Sequence, residues 1–180
     1  MLNQNPLPWY TPPSIPFLES HLNSDHVVLD VGSGNSTLWY AKQTKFVHAI
    51  ETEVNWYEEI KNNQPNNVQL DFKTRAGIIE ALTNPIMDYN VISIDPMERE
   101  SSMGDTVTSR KCMLDLAVNN FDNVDVYVLD NWGEKYWFHD IHDFTGDQMK
   151  EYYPKLKDYV VYDFFQGGWM GLGTRLLIKA

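Results

Sequence analysis

Two acidic residues and two glycines form the most informative pattern in this sequence. Asp30 lies near the end of an apolar run that indicates a buried strand, and Gly32 and Gly34 follow it before a predicted helix. Glycines at such a turn let a ligand approach the backbone where a side chain would block it. Glu51 ends a second apolar run about 20 residues further on, where its carboxylate can accept hydrogen bonds from a ribose diol. The combination predicts a cofactor that contains adenosine.

Other side chains that could do chemistry follow the later apolar runs. Asp95 follows the run 90–94, and polar residues at the carboxyl ends of parallel strands face the ligand crevice, so we expect a functional role for Asp95. His139 and His142 are either surface residues beside neighbouring acids or residues of a catalytic or metal site. Four aromatic residues either pack in the core or line an acceptor pocket: Trp132, Tyr136, Trp137 and Phe138.

Alternating strands and helices must position these side chains. Strands are predicted at 27–31, 45–50, 67–72, 89–94 and 124–130, and helices at 36–43, 53–63, 76–83 and 104–119. This alternation with short loops requires right-handed crossovers and a parallel sheet covered by helices on both faces.

A proline-rich segment and a short helix over 14–23 precede the alternation. We therefore expect an N-terminal arm at 1–24 and a single domain at 25–180. The arm, which contains Trp9 and Tyr10, either packs on the domain surface or closes over the cofactor.

The last third of the sequence departs from the alternation. The runs 158–164 and 173–179 predict two strands, and the loop 165–172 between them is too short for a crossover helix. These strands must therefore pair antiparallel as a hairpin. A parallel sheet that ends in such a hairpin differs from the ordinary dinucleotide-binding pattern.

Charge and composition limit the partners. The 180 residues carry a net charge of −11, so the chain lacks the basic surface that nucleic acids or anionic membranes require. No run approaches the roughly 20 apolar residues of a membrane span. The single cysteine, Cys112, cannot form an internal disulfide, and we expect a cytoplasmic protein.

From about residue 25 to 180, the sequence resembles the class I S-adenosylmethionine-dependent methyltransferases. The resemblance implies an α/β fold with a Rossmann-like seven-stranded sheet, ordered 3-2-1-4-5-7-6, whose last strand is antiparallel. Asp30-Val31-Gly32-Ser33-Gly34 is similar to the family's first motif, and Glu51 to its ribose-binding acid. The family resemblance implies that S-adenosylmethionine is bound by Asp30, Gly32, Ser33, Gly34, Thr37, Glu51 and Asp95. It also implies that Asp95 is the candidate catalytic residue.

A narrower resemblance concerns the catechol-type O-methyltransferases, in which an Asp after strand four and an Asp-Asn pair after strand five hold Mg²⁺. Asp95, Asp130 and Asn131 stand at the matching positions, and such oxygen ligands suit Mg²⁺ or Ca²⁺. Glu98 stands where those enzymes carry a lysine, so the resemblance does not extend to their base.

These patterns predict an S-adenosylmethionine-dependent methyltransferase that acts on a small-molecule or saccharide-like acceptor, at oxygen. Two alternatives stay open: a nicotinamide-dependent oxidoreductase, and a methyltransferase-like domain that binds the nucleoside without turnover. The segment Asp95-Pro96-Met97-Glu98 lacks the aromatic residue expected of nucleic-acid amino-methyltransferases, which agrees with the acidic charge in arguing against a nucleic-acid substrate.

Overall fold

The computed structural model describes residues 6–96, 110–132, 144–165 and 173–180. Seven strands and six α-helices lie within these ranges, together with a short 3₁₀ turn at Pro154–Leu156. In chain order they are α1 (Ser14–Glu19), β1 (Val27–Val31), α2 (Asn35–Ala41), β2 (Phe46–Glu51), α3 (Val54–Lys61), β3 (Val68–Phe72), α4 (Arg75–Thr83), β4 (Val91–Ile94), α5 (Arg110–Asn120), β5 (Val126–Trp132), α6 (Gly146–Tyr152), β6 (Tyr159–Phe165) and β7 (Gly173–Lys179).

The strands form one mixed sheet in the order β3-β2-β1-β4-β5-β7-β6. Strands β1 to β5 are parallel, whereas β7 pairs antiparallel with both β5 and β6. This confirms the predicted Rossmann-like sheet and its reversed strand. The reversal follows from the chain itself, because the link from β6 to β7 is too short to carry a crossover.

Both faces of the sheet are covered, because successive side chains of a strand point to opposite faces. On one face, Val28 of β1 and Val91 of β4 belong to a buried cluster with Leu18 of α1 and Trp39 and Tyr40 of α2. On the other, the strands pack on α4 and α5, in a cluster that includes Leu29, Ile92, Ile78, Leu82, Met113 and Leu114. Burial on both faces explains why the central strands are almost continuously apolar.

Some predicted boundaries differ from the structure. The five parallel strands begin and end within two residues of the predicted positions, and the described part of α5 agrees with the end of the predicted helix. Helix α6 was not predicted. Its start carries a capping box, in which the Thr145 amide donates to Gln148 Oε1 at 2.8 Å and the Gln148 amide donates to Thr145 Oγ1 at 3.3 Å. None of the helices in the described ranges has the length and apolar character needed to cross a membrane.

The N-terminal arm, described from residue 6, contacts β4 and the start of β7. Tyr10 is buried, and its hydroxyl lies 2.8 Å from Ser93 Oγ in β4 and 3.1 Å from the Tyr40 hydroxyl in α2. The next amide, that of Thr11, donates to Thr174 Oγ1 at the start of β7 at 2.8 Å. Trp9, by contrast, is 58% exposed. The arm is therefore part of the domain's packing at Tyr10 and Thr11.

Candidate functional site

The turn between β1 and α2 contains two glycines with different roles. We call residues 32–34 the cofactor turn, after the ligand that the sequence predicts for it. Gly32 has a positive φ of 95°, and a β-carbon there would lie 2.1 Å from the Asp95 carbonyl oxygen and 2.8 Å from Pro96 Cα. Only glycine fits this position. Gly34 is extended, with a φ of 173°, and a β-carbon there would meet no atom within 4 Å. Among the described residues, packing does not require a glycine at position 34, and the space beside its α-carbon could admit a ligand.

Asp30 and Thr37 brace the cofactor turn from beneath. The Asp30 side chain is buried, and its Oδ2 accepts hydrogen bonds from the hydroxyls of Thr37, at 2.7 Å, and Ser36, at 2.9 Å. The Thr37 hydroxyl in turn accepts from the Gly34 amide at 3.2 Å. Both predicted residues thus act on the shape of the turn.

The other oxygen of Asp30 is buried without a hydrogen-bond partner among the described residues. Burial raises the pKa of Asp30 to about 7, although the hydrogen bonds from Thr37 and Ser36 oppose this shift. A nearby cation or hydrogen-bond donor would stabilise the ionised form of this buried carboxyl, because either one compensates for the hydration that the charge loses on burial.

Glu51 ends β2 with its side chain almost wholly buried. Its Oε1 accepts from the backbone amides of Thr52 and Glu53, both at 2.7 Å, and its Oε2 accepts from the Ser33 hydroxyl at 2.9 Å. Burial raises the pKa of Glu51, and these hydrogen bonds oppose the rise. The two amides fix the orientation of the carboxylate, while the Ser33 hydroxyl uses an acceptor position that a ribose hydroxyl could take.

Three carboxyls lie close to the carboxyl ends of the neighbouring strands β1, β4 and β5, and we call Asp30, Asp95 and Asp130 the acidic edge. Asp130 is 5% exposed, and its Oδ1 accepts from the Thr174 hydroxyl at 2.7 Å. The pKa of Asp130 is raised to about 8, mainly by burial and secondly by the charge of Asp95. Burial also raises the pKa of Asp95, whereas the guanidinium of Arg110 opposes that rise. With its side chain 28% exposed, Asp95 is the accessible member of the acidic edge.

Sequence reasoning did not assign a role to Arg110, which lies between the ends of β4 and β5. Its Nη2 lies 3.0 Å from Asp95 Oδ1 and donates to the Pro96 carbonyl oxygen at 3.0 Å, and its Nη1 donates to the Asp130 carbonyl oxygen at 2.8 Å. The Asn131 side-chain amide forms hydrogen bonds through both its oxygen and its nitrogen when their positions are exchanged. Its oxygen then accepts from Arg110 Nη1 at 3.1 Å, and its nitrogen donates to Asp130 Oδ2 at 3.3 Å. The sequence feature that could have identified Arg110 as a site residue is its place on the predicted helix that follows Asp95.

The local backbone explains how the Asn131 side chain reaches this position. The pairing of β5 with β7 shifts register between Asp130 and Trp132, and Asn131 has a positive φ of 54°. Such a bulge redirects a side chain at a strand end, and asparagine tolerates the left-handed conformation better than most residues do.

The predicted metal ligands Asp95, Asp130 and Asn131 do come together, since Arg110 contacts the Asp95 carboxylate, the Asp130 carbonyl oxygen and, with the amide turned, the Asn131 amide oxygen. They do not fit a divalent ion, however, because their oxygens surround the guanidinium of Arg110 and its fixed positive charge would repel a second cation. Among the described residues, no group of three acidic, histidine or cysteine side chains could hold a metal.

Several other predicted residues lie outside the described ranges: Glu98, Tyr136, Trp137, Phe138, His139 and His142. Trp132 is described and is 1% exposed, with the Arg175 guanidinium 4.0 Å from the centre of its ring. Trp132 therefore belongs to the core. Trp9, at the surface, makes an edge-to-face contact with Trp56 of α3 at 5.4 Å between ring centres.

No protein-family model matches the chain, and no curated protein sequence matches it. Solved structures are similar in fold. The O-methyltransferase TomG from Streptomyces achromogenes, in complex with S-adenosylmethionine, is 16% identical with a TM-score of 0.55, over 86% of this chain and 73% of that one. An rRNA methylase from Streptococcus thermophilus is 15% identical with a TM-score of 0.59, over 93% and 94% of the two chains. The N-methyltransferase NodS from Bradyrhizobium japonicum is 9% identical with a TM-score of 0.57, over 93% and 97%. The chain thus has the fold of S-adenosylmethionine-dependent methyltransferases.

Proposed function

We propose that this protein, which has that fold, transfers a methyl group from S-adenosylmethionine to an oxygen atom of a small-molecule or saccharide-like acceptor. The observation that carries the proposal is the open space beside Gly34, in a braced turn whose Ser33 hydroxyl contacts the oriented carboxylate of Glu51. In this proposal the nucleoside occupies that space, with its ribose hydroxyls donating to Glu51 in place of the Ser33 hydroxyl.

The charge of the site supports this cofactor over a dinucleotide. The acidic edge places three carboxyls at the ends of adjacent strands, and burial raises the pKa of Asp30 and of Asp130. The sulfonium and ammonium groups of S-adenosylmethionine would compensate these carboxylates, whereas the pyrophosphate of a nicotinamide dinucleotide would be repelled by them. The electrostatics therefore argues against the oxidoreductase alternative.

Asp95 is the residue that we propose to act on the acceptor. It is partly exposed, and the Arg110 guanidinium 3.0 Å away favours its ionised form. In the reaction, the acceptor oxygen attacks the methyl carbon in line with the breaking carbon–sulfur bond, S-adenosylhomocysteine leaves, and the hydroxyl proton passes to Asp95. Alignment of donor and acceptor contributes about 7–11 kcal/mol to such a step, and a positioned base about 10²- to 10⁴-fold in rate.

The net charge of the chain supports a small-molecule acceptor over a nucleic acid. A net charge of −11 disfavours RNA and DNA, which need a basic contact surface. Because an rRNA methylase is among the similar structures, an RNA acceptor is one arm of the test.

Calorimetric titration of the folded protein with S-adenosylmethionine, S-adenosylhomocysteine and NAD⁺ tests the cofactor. We expect binding of the first two ligands and no heat with NAD⁺. An acceptor screen with methyl-labelled S-adenosylmethionine, covering phenols, saccharides and RNA, then tests transfer. Binding without any labelled product would favour the non-catalytic alternative, and no binding of either sulfur nucleoside would remove the proposal.

A further inference from the structure

We propose that Arg110 takes the position that a divalent ion holds in catechol-type O-methyltransferases, so that this site orients its strand ends with a built-in cation and needs no metal. This deepens the proposed function and rests on it for its catalytic meaning. The geometric part, that a guanidinium occupies the cation position, can be tested by itself.

The surroundings of the guanidinium are those of a hard cation. Among the described residues, its two terminal nitrogens contact four oxygen atoms at 2.8 to 3.2 Å: Asp95 Oδ1, the carbonyl oxygens of Pro96 and Asp130, and the oxygen of the turned Asn131 amide. Oxygen atoms are also the ligands of Mg²⁺ and Ca²⁺ in proteins, at metal–oxygen distances of about 2.0–2.6 Å. The longer distances here are those of hydrogen bonds from a guanidinium.

The charge of Arg110 is permanent in its present position. Its side chain is 4% exposed, and a guanidinium does not lose its proton in proteins. The helix that carries it is held by Met113, Leu114 and Ala117, all fully buried in the core between α5 and the sheet. An incoming divalent ion would therefore meet a buried positive charge whose α-carbon is held in place by the packing of α5.

Arg110 joins the two strand ends that the proposed reaction uses. It contacts the carboxylate of Asp95 after β4 and the backbone carbonyl of Asp130 in β5. A metal ion would link the same two strand ends by binding their carboxylates. Arg110 is therefore a positioning residue, which opposes the rise in the pKa of Asp95 that burial causes and joins Asp95 to the end of β5.

Titration with Mn²⁺, followed by electron paramagnetic resonance of the free ion, tests the inference. We expect the wild type and Arg110→Lys, which keeps a cation, to bind no Mn²⁺ at millimolar concentration. Arg110→Ala exposes the oxygen set without its cation, so we expect it to bind one Mn²⁺ at least tenfold more tightly than the wild type. Asp95→Asn should abolish the binding gained by Arg110→Ala.

Stoichiometric Mn²⁺ binding to the wild type that disappears in Asp95→Asn would overturn the inference. Failure of a folded Arg110→Ala protein to bind Mn²⁺ would also overturn it, because the oxygens would then not form a cation site. Circular dichroism verifies folding, and Arg110→Gln, which fills more of the space, replaces the alanine variant if that variant does not fold. Titration with S-adenosylhomocysteine in chelator is scored separately, so failure of the proposed function is distinguished from failure of this inference.

Discussion

The carbonyl oxygen of Asp95 lies 2.1 Å from the point where a β-carbon on residue 32 would stand. The chain that leaves β4 therefore packs directly on the cofactor turn that follows β1. Gly32 also has a positive φ, so Gly32→Ala adds backbone strain to the overlap. We expect it to lower the free energy of unfolding by about 3 kcal/mol or more, as measured by denaturant titration.

Gly77→Ala is the matched control for this substitution. A β-carbon on Gly77 in α4 approaches the Lys73 side chain at 3.0 Å, which can shift, and alanine has the higher helix propensity by about 1 kcal/mol. Stability close to that of the wild type is expected. Equal stability of Gly32→Ala and Gly77→Ala would show that the Asp95 carbonyl is free to move.

Substitution of Gly34 should separate binding from folding. Because a β-carbon there meets no atom within 4 Å and the backbone is extended, Gly34→Val should unfold at nearly the wild-type temperature. Its side chain would enter the space proposed for the nucleoside, and we expect at least tenfold weaker binding of S-adenosylhomocysteine by calorimetry. Wild-type affinity in this variant would place the ligand elsewhere.

Glu51→Gln tests the ribose contact. Glutamine can keep its oxygen on the Thr52 and Glu53 amides, but it loses the charge that strengthens a hydrogen bond from a ribose hydroxyl. Hydrogen bonds to charged groups contribute about 1.5–3 kcal/mol, so the affinity for S-adenosylhomocysteine should fall by about ten- to a hundredfold. Glu58→Gln, on the exposed face of α3, is the control and should bind like the wild type.

The raised pKa values of the acidic edge predict a pH dependence of stability. Burial raises the pKa of Asp30 from 3.8 to about 7 and that of Asp130 to about 8, so the folded state holds protons that the unfolded state releases near pH 4. This contribution is complete below the unfolded pKa and is lost as the pH rises through the folded values. The melting temperature of the unliganded protein should therefore fall as the pH rises from about 4 to about 8, and less so in Asp30→Asn.

Binding of a cationic cofactor should show the opposite trend. A sulfonium or ammonium group beside the acidic edge favours the ionised carboxyls, so binding should release protons and tighten as the pH rises from 6 to 8.5. Calorimetry in two buffers with different ionisation enthalpies measures the number of protons released. A release of zero would mean that the cationic groups do not contact Asp30 or Asp130.

Thr174 connects the arm to the acidic edge, since it donates to Asp130 Oδ1 and accepts from the Thr11 amide. Thr174→Val removes both hydrogen bonds and leaves buried polar groups without partners, at a cost of about 1–3 kcal/mol. Loss of the hydroxyl should also raise the pKa of Asp130 further, because its hydrogen bond lowers that pKa. Thr174→Ser keeps the hydroxyl and should retain most of the stability in thermal denaturation; equal losses in both variants would assign the effect to packing of the methyl group.

The order and direction of the strands could be predicted because they follow from local patterns. Continuous apolar runs mark the buried parallel strands, and the short link between β6 and β7 leaves no room for a crossover. Helix α6 has only seven residues, and its capping box of Thr145 and Gln148 was the one local signal for it.

The site could be predicted only where its contacts are local. The cofactor turn is read from adjacent residues, and Glu51 from a fixed offset to it. The partners of Tyr10 and Arg110 depend on tertiary packing: Tyr10 reaches Ser93, 83 residues away, and Arg110 reaches across from α5 to two strand ends. The sequence does not show that α5 lies close to the end of β4. From the sequence alone, Asp95, Asp130 and Asn131 therefore have the pattern of a metal site.

The hydrogen bond between Thr11 and Thr174 joins residues that are 163 positions apart. During synthesis, the partner of Asp130 and the anchor of the arm emerge from the ribosome only with β7, after all five parallel strands have been made. Contacts of such long sequence separation form late, because the chain must close a large loop before they contribute. The acidic edge is therefore complete only once β7 has joined the sheet, so its assembly depends on the closure of a loop that spans most of the described chain.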